Sequence, residues 1–474
     1  MAGISRRNFV KYGGAAGAAA LAGCSGDGNG GNGNGNGGNG GGNGGNGDGN
    51  GDGGGSLDDG ERPVQILGPA WALMDEQLEK FTEMHGIEAE TTIVDQPTTV
   101  QRILGGDNEI FDAFSISVGG GAVGLVLDNE MNEPIPTEDL DKWDKENVSD
   151  LFTNPGERLS HLGEQYEIYQ ELIWSDPEEL TELNFPPTAY NFDAIGSNPE
   201  HVEPGQERLW SDLFDEQYQG EVAMGATPGV TIPEALMHLL DNDMVEGEVG
   251  AINNPNQDQI DAAVDFLIEQ KQAGQFRSTW TAYGDSVNLL ASEEAVIGDL
   301  WQPAAMDVRR SGTPCEYATM SGGLQGYRFW YGGIAPVRPG VHDRNNLDEI
   351  TSFVNDVHWG AWYPGFIAGS GYSVPHYPNT ELLREGGDDS GEGMGPEYYD
   401  WAYEGTATYE PVDQPYLFDP LEYDWSDEEG EEHEDGQVRD SGAIDERIDR
   451  ISFMQAWPDE NEYMLERWSE FESA

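Results

Sequence analysis

The sequence predicts an α/β protein whose folded part is divided into two lobes joined by crossing chain segments. Short apolar strands alternate with amphipathic helices, which is the pattern of a mostly parallel sheet covered by helices. A second block of the same kind stands between two extended segments, 188–193 and 331–337. The chain from about residue 62 to residue 474 is long enough for two domains of ordinary size. A block entered by one extended segment and left by another therefore forms a second lobe.

The first lobe begins with an apolar strand at 64–67. The next element is a helix that ends at Gly86 and has four apolar residues on one face: Met74, Leu78, Phe81 and Met84. The elements that follow are a strand at 89–94, a helix with Val100, Ile103 and Leu104, and a strand at 111–116.

The second lobe contains a strand at 222–224, helices at 232–240 and 260–274, and a strand at 295–300. In such folds small ligands bind between the lobes, at strand ends and helix N-termini. The predicted boundaries are 61–190 for the first part of lobe 1, 191–330 for lobe 2, and 331–474 for the return to lobe 1 with an acidic C-terminal extension.

The N-terminus has the two signals of an exported lipoprotein. Ser5-Arg6-Arg7-Asn8-Phe9-Val10-Lys11 is typical of a twin-arginine export signal, and Leu21-Ala22-Gly23-Cys24 is typical of a lipobox. Residues 1–24 are therefore predicted to direct export by the twin-arginine route, with a lipid at Cys24 anchoring the protein to the extracellular face of the cell membrane. Residues 25–60 are almost entirely Gly, Asn and Asp and are predicted to be a disordered linker.

The chain is strongly acidic, with 90 Asp and Glu against 22 Lys and Arg and a formal net charge of −68. Nucleic-acid binding needs a basic surface, which this composition excludes. Repulsion of this size is screened at molar salt, so the composition predicts a protein adapted to brine; a surface that collects cations or basic partners is the alternative. Cys24 and Cys315 are the two cysteines, and a lipid on Cys24 leaves no intrachain disulfide.

Six segments, in this order along the chain, match a family pattern: Leu78 to Glu83 with Gly86-Ile87, Phe111-Asp112 with Ser117, Tyr190-Asn191-Phe192-Asp193, Trp210 to Val222, Trp330 to Pro336, and Gly371 to Pro375. With them the chain resembles the extracellular solute-binding proteins of ABC transporters, in the branch that includes the spermidine/putrescine-binding proteins. The resemblance implies a clamshell of the periplasmic-binding-protein type, with a hinge near Asn191 and Gly332-Gly333. It also implies a monomer without a cofactor that delivers a small solute to a membrane permease.

The candidate ligand-binding residues follow from this resemblance and from their places at strand ends. They are Trp71, Ser117, Gly119, Thr227, Asp285, Trp301, Gln302, Trp330 and Tyr331. For the aromatic residues, packing in the core is the alternative, because Trp and Tyr bury well without a ligand.

The ligand class stays open between an amine and an anion. Amine binding needs carboxylates and aromatic rings, but Gly332 and Gly119 stand where amine binders of the family have an acid and a tyrosine. The stretch 225–229 replaces their acidic loop with glycine-rich sequence that suits an anion. Asp285 or Asp193 is the alternative source of an acid.

An enzyme is the main rival function, and we do not expect one. No Gly-x-Ser-x-Gly motif occurs, and the eight histidines lack zinc-ligand spacing. The acidic run 427–435 is read as a solvated loop, with calcium binding as its alternative. A sensor or surface protein with the same clamshell is the second rival, which sequence does not separate from transport.

Overall fold

The computed structural model describes residues 63–118, 121–163, 165–360, 362–368, 372–377, 444–454 and 458–474. The predicted signal, lipobox and linker, the candidate Gly119 and the acidic run 427–435 lie outside these ranges.

The strands are β1 (Val64–Gly68), β2 (Ala89–Ile93), β3 (Ala113–Val118), β4 (Ile135–Pro136), β5 (Glu182–Leu183), β6 (Pro187–Ser197), β7 (Val222–Gly225), β8 (Phe276–Trp280), β9 (Ile297–Leu300), β10 (Glu316–Tyr317), β11 (Tyr327–Pro336) and β12 (Ile451–Met454).

The helices are α1 (Asp75–His85), α2 (Gln96–Gly105), α3 (Gly121–Asp128), α4 (Asp150–Thr153), α5 (Pro155–Arg158), α6 (Gln165–Ile173), α7 (Pro228–Asp241), α8 (Val249–Asn253), α9 (Gln257–Ala273), α10 (Tyr283–Ala291), α11 (Gln302–Arg310), α12 (Gly340–Arg344), α13 (Leu347–Ser352), α14 (Tyr363–Ala368), α15 (Ile444–Ile448) and α16 (Asn461–Ser473). A π-helical turn, Phe353–His358, continues α13. In the part of the chain that is described, no helix is long and apolar enough to span a bilayer.

One sheet connects the two lobes in the strand order β2-β1-β3-β11-β6-β9-β7-β8, with β12 beside β11 and β10 beside β6. Strands β1, β2 and β3 are parallel, and so are β7, β8 and β9. Between these groups run β6 and β11, which are antiparallel to each other. Residues Pro187 to Asp193 of β6 pair with β11, whereas Ala194 to Ser197 pair with β9. The segments predicted to cross between the lobes are therefore these two long strands.

Helix α1 illustrates how local sequence sets an element. It ends at Gly86, whose φ of 70° is left-handed and whose N–H donates to the Thr82 carbonyl, as expected for a glycine C-cap. Phe81 is fully buried in the core, but Met84, predicted on the same apolar face, is 42% exposed. The prediction for Met84 was wrong because the face that packs on the sheet centres on Gln77 and Phe81.

The two faces of β11 have different environments because side chains alternate along a strand. Phe329 and Tyr331 pack with Phe152, Tyr169 and Tyr190 in an aromatic cluster. The ring centroid of Tyr331 lies 5.4 Å from that of Phe152 and 5.9 Å from that of Tyr169. The ring centroid of Phe329 lies 5.6 Å from that of Tyr169 and 6.0 Å from that of Tyr190. Arg328, Trp330 and Gly332 alternate with these residues and belong to the opposite face. The aromatic cluster forms the core, and the opposite face carries the groups described below.

The C-terminal segment contacts both sides of the crossing strands. Strand β12 runs parallel to β11, and the Ile451 carbonyl lies 2.8 Å from Nε2 of His161 in the first lobe. The Asn253 amide of α8 donates to the Ser452 carbonyl. Helix α16 packs on α9 of the second block and buries Met464, Trp468 and Phe471. The domain boundaries stay a prediction; within 331–474, β12 and α16 both contact the predicted lobe 2.

Candidate functional site

The second lobe places aromatic side chains at the carboxyl ends of its parallel strands. Trp280 ends β8, and Trp301 follows β9 and is the N-cap residue of α11. The two indoles meet edge to face, with ring centroids 5.1 Å apart. Tyr283 stacks on the other side of Trp301, at 6.0 Å and 5° between ring planes. These three residues are the lobe 2 aromatic group.

A second aromatic group is made by Trp71 and Tyr372 of the predicted lobe 1 and Trp330 of the crossing strand β11. Trp71 follows β1, and its ring centroid lies 5.6 Å from that of Trp330 and 6.4 Å from that of Tyr372. Trp330 and Tyr372 are 5.5 Å apart, edge to face. These residues are the lobe 1 aromatic group.

Tyr283 and Tyr372 connect the two groups. Burial and the neighbouring Asp307 raise the pKa of the Tyr283 phenol, and Tyr372 is near enough to contribute to the rise. Tyr283 donates to the Asp307 carboxylate at 2.7 Å. The two aromatic groups are therefore neighbours, where the sequence predicts the ligand cleft.

Gly332 lies directly beneath the Trp71 indole. A Cβ atom at this position would be 2.9 Å from Cζ3 of Trp71 and 3.1 Å from Oγ1 of Thr188, closer than side-chain contacts allow. The tryptophan ring thus fills the space that a side chain at position 332 would need. Any acid at this site has to come from elsewhere.

Acids are present on the same face of β11, in a buried ion cluster. Arg328 donates through Nε and Nη2 to Oδ2 of Asp193, at 2.8 and 2.7 Å. The other carboxylate oxygen of Asp193 accepts from the Trp330 indole N–H at 3.0 Å. Nη1 of Arg328 lies 3.4 Å from Oε1 of Glu234 on α7. Asp193 and Glu234 are fully buried, and Arg328 is 3% exposed.

Asp299 adds a third carboxyl group to the cluster. Its Oδ1 accepts from the Gly225 N–H at 2.6 Å, which ties the ends of β9 and β7 together. Burial, opposed by Arg328, raises the pKa of Asp299 to about 6. Burial also raises the pKa of Asp193. Burial raises the pKa of Glu234 well above the usual range, and the nearby Asp299 adds to that rise. Burial opposes the charge of Arg328, but the three carboxylates raise its pKa. The cluster therefore has three acids and one fixed cation.

Three other predicted residues lie at strand ends and are buried. The backbone N–H and C=O of Ser117 are both bonded to the side chain of Gln96, and the Thr227 N–H donates to Oγ1 of Thr231. Gln302 is fully buried at the first turn of α11. Among the described residues, the side-chain oxygen and nitrogen of Gln302 and the Ser117 hydroxyl have no hydrogen-bond partner.

Two predicted residues lie apart from this cleft. Tyr331 is fully buried in the aromatic cluster on the opposite face of β11 from Trp330. Asp285 is exposed on α10, beside a surface groove of about 580 Å³ that is also lined by Ser278, Asn288 and Ser311.

Sequence reasoning missed Arg328, Glu234 and Asp299. Glu234 had a usable signal, because it is the one charged residue in the mostly apolar stretch from 228 to 237. A single acid in the buried face of a helix needs a partner or a proton. Arg328 and Asp299 had no such signal in the sequence.

One group of potential metal ligands occurs in the described ranges. Side-chain ligand atoms of Glu200, His201 and Glu293 lie within 4.8 Å of one another, and all three residues are exposed. These residues follow the end of β6 and precede β9, at the other end of the strand from Trp301. They therefore form no part of the cleft.

Comparison with known proteins supports the fold and the export signal. Residues 3–23 match the family model for the TAT (twin-arginine translocation) pathway signal sequence. Comparison with curated proteins gave no match. Solved structures that are similar include the spermidine/putrescine ABC transporter substrate-binding protein PotD of Streptococcus pneumoniae, at 17% identity and a TM-score of 0.51, covering 69% of this chain and 87% of that one.

Two further structures have the same fold. A provisionally assigned spermidine/putrescine ABC transporter protein from Listeria monocytogenes has 14% identity and a TM-score of 0.52, covering 86% of this chain and 98% of its own. A GABA receptor has 13% identity and a TM-score of 0.50, covering 86% of this chain and 97% of its own. The predicted two-lobed α/β fold with crossing strands is confirmed, and it is the fold of substrate-binding proteins of ABC transporters.

Proposed function

We propose that this protein is a lipid-anchored extracellular solute-binding protein that captures a small solute carrying an ammonium group and delivers it to an ABC importer. The observation that carries this proposal is the meeting of two aromatic groups, one from each lobe, beside a buried cluster with more acids than bases. The twin-arginine signal supports export, and the lipobox at Cys24 supports anchoring.

The chemistry of the cleft suits an ammonium group with an attached carbon chain. Aromatic faces attract a cation and cover methylene groups, and a desolvated cation–aromatic contact contributes about 2 kcal/mol. Carboxyl groups supply the charge-assisted hydrogen bonds that an ammonium needs after it loses water. The similar proteins point the same way, since spermidine, putrescine and GABA each contain an amine.

An anionic solute is the less favourable alternative. The Thr227 amide, which sequence analysis offered for an anion, is already bonded to Thr231. An anion would also enter beside three carboxyl groups and one guanidinium, where like charges repel it at short range in a low-dielectric surrounding. Arg328 itself is engaged by Asp193.

A thermal-shift screen in molar potassium chloride tests the proposal. The panel holds putrescine, spermidine and γ-aminobutyrate against succinate, sulfate and glucose. A ligand at 100 times its dissociation constant stabilises the folded state by about 2.7 kcal/mol, which is a clear shift. The same screen on Trp301→Ala is the control, because loss of this ring should reduce the shift. Stabilisation by the anions or the sugar alone would overturn the amine assignment, and turnover of any compound would overturn the binding-protein assignment.

A further inference from the structure

Glu234 is a buried carboxyl group with too few partners. It is fully buried on α7, and Oε1 has the Arg328 guanidinium at 3.4 Å. Among the described residues, Oε2 has no hydrogen-bond partner. An ionised carboxylate without partners in such a place costs several kcal/mol, so the group must be neutralised.

Arg328 neutralises Glu234 only in part, because its shorter contacts are with Asp193. Two of its N–H groups bind Asp193 at 2.7 and 2.8 Å, whereas the contact to Glu234 is long. The charged groups that act on Glu234 are Asp299 on β9, Arg328 on β11 and Asp193 on β6. Two of these three are acids, so the surroundings of Glu234 favour either a proton or an incoming cation.

The carboxyl group is linked to the lobe 1 aromatic group through Arg328 and Asp193. Asp193 joins Arg328 to the Trp330 indole of the lobe 1 aromatic group. Asp299 stands two residues before Trp301 of the lobe 2 aromatic group. Gln302, next along the chain, has both amide atoms buried and without a partner in the described part of the chain. Unused polar atoms thus collect at one edge of the second lobe.

We propose that Glu234 accepts the ammonium group of the solute and that the proton held by its carboxyl group in the empty protein is released to solvent in exchange. This inference rests on the proposed function and names the acid that replaces the one missing at Gly332. The O–H bond of the carboxyl group breaks, the carboxylate pairs with the R–NH₃⁺ group, and the total charge in the cleft is unchanged. The exchange requires the lobes to separate far enough to admit the ammonium group to this carboxyl group.

The direction of the pKa shifts agrees with this exchange. Burial, with Asp299 adding and Arg328 opposing, raises the pKa of Glu234 well above its usual range. The empty protein therefore holds the proton at a pH where a free glutamate would be ionised. Solute affinity should then rise with pH until the carboxyl group of the empty protein is ionised.

Isothermal titration calorimetry of the whole mature chain with putrescine, in molar potassium chloride, tests the exchange. Runs at pH 7 in buffers of different ionisation enthalpy count the protons released on binding. Wild type should release up to one proton, whereas Glu234→Gln should release at least half a proton less and bind at least tenfold more weakly. Glu269→Gln, an exposed residue on α9, is the matched control and should behave as wild type.

The outcomes separate this inference from the proposed function. Putrescine binding that is equally tight and releases as many protons in Glu234→Gln overturns the role of Glu234 and leaves an amine-binding protein. Absence of binding by any amine in the wild type overturns both. Should Glu234→Gln unfold, Glu234→Asp retains the acid with a shorter side chain; unchanged affinity in that variant counts against direct contact.

Discussion

Gly332 shows how a missing side chain shapes the cleft. Its α-carbon lies where the Trp71 ring and the Thr188 hydroxyl leave no room for a Cβ. The ring in turn contacts Trp330 and Tyr372. One glycine therefore sets the position of all three members of the lobe 1 aromatic group.

Replacing Gly332 by alanine should displace Trp71 and destabilise the protein by about 1–3 kcal/mol, the usual cost of overpacking. Chemical denaturation measures the free energy of unfolding, and calorimetry should show weaker solute binding. Gly284→Ala is the control, because nothing lies within 4 Å of the added Cβ at that position. Equal stability of Gly332→Ala and wild type would mean that the ring has another place to go.

His358 and His376 make folding sensitive to acid. Burial lowers the pKa of each to about 3, against an ordinary value of about 6.5. Below pH 6.5 the unfolded chain binds protons that the folded chain refuses, so the free energy of unfolding falls as pH falls from about 6.5 towards 3. The limiting slope is about 1.4 kcal/mol per pH unit for each histidine.

His358→Leu should reduce the dependence of the free energy of unfolding on pH by up to about 1.4 kcal/mol per pH unit, which corresponds to one proton. Denaturation at pH 7.5, 6.5, 5.5 and 4.5 gives the slope for wild type and variant, and the difference between them isolates His358 from the oppositely shifted Glu234. His201→Leu, at an exposed histidine, is the control. Parallel curves for His358→Leu and wild type would contradict a neutral buried imidazole.

At the scale of elements, the helix α16 closes the core of the second lobe from the far end of the chain. Trp468 is 2% exposed and packs on Phe471 at 4.5 Å. Lys271 of α9 donates to the Phe471 carbonyl at 2.8 Å. The Lys271 bond joins residues 200 positions apart in the sequence.

Trp468→Ala should therefore cost about 3–5 kcal/mol, as for other large-to-small changes in a core. Thermal unfolding followed by far-ultraviolet circular dichroism, which reports the backbone, measures the loss of stability. Glu466→Ala lies on the exposed side of the same helix and should change stability little. A loss of stability much smaller than this in Trp468→Ala would show that α16 is not part of the core of the second lobe.

The sequence predicted the strands and helices that are marked by nearby residues. It did not predict the elements that form only by pairing with residues far away in the chain. The apolar runs of β1, β3 and β9 and the glycine after α1 each identify an element within a few residues. Strand β12 has no such signal, because its ladder partner is β11, more than 100 residues earlier.

The same limit applies to the candidate site. The sequence pattern placed Trp330 and Tyr331 together, whereas the alternation of side chains along β11 turns them to opposite faces. Glu234 meets Arg328 only because α7 packs beside the crossing strands.

At the scale of the whole molecule, the net charge of −68 is the dominant electrostatic feature. At molar salt the Debye length is about 3 Å, so exposed acids hardly sense one another. In dilute buffer it is about 30 Å at 0.01 M, and repulsion acts across the molecule.

Dialysis from molar potassium chloride into dilute buffer should therefore unfold the protein. Circular dichroism and the tryptophan emission maximum follow the transition as salt is lowered. Sucrose at equal osmolarity is the control, since it leaves the charges unscreened and should not prevent unfolding by the same mechanism. A folded state in dilute buffer would contradict adaptation to brine.

The lipid anchor is tested by Cys24→Ala in cells. Without a lipidated cysteine the exported protein has no attachment of this kind, so it should appear in the medium, where immunoblotting of cell and medium fractions detects it. Arg6→Lys combined with Arg7→Lys distinguishes export from anchoring, because it should keep the precursor inside the cell. Membrane retention of Cys24→Ala would contradict the lipobox assignment.

The sheet that passes without a break from one lobe to the other has a mechanical consequence. Because the ladder of β6 and β11 carries hydrogen bonds through the waist, separation of the lobes has to bend and twist a stiff ribbon. The elastic energy of the two paired strands rises as they are bent further, so they resist wide separation of the lobes. We therefore expect the mouth of the cleft to open through a narrow range of angles, so that the width of the gap, as well as the chemistry of its walls, selects small solutes over large ones.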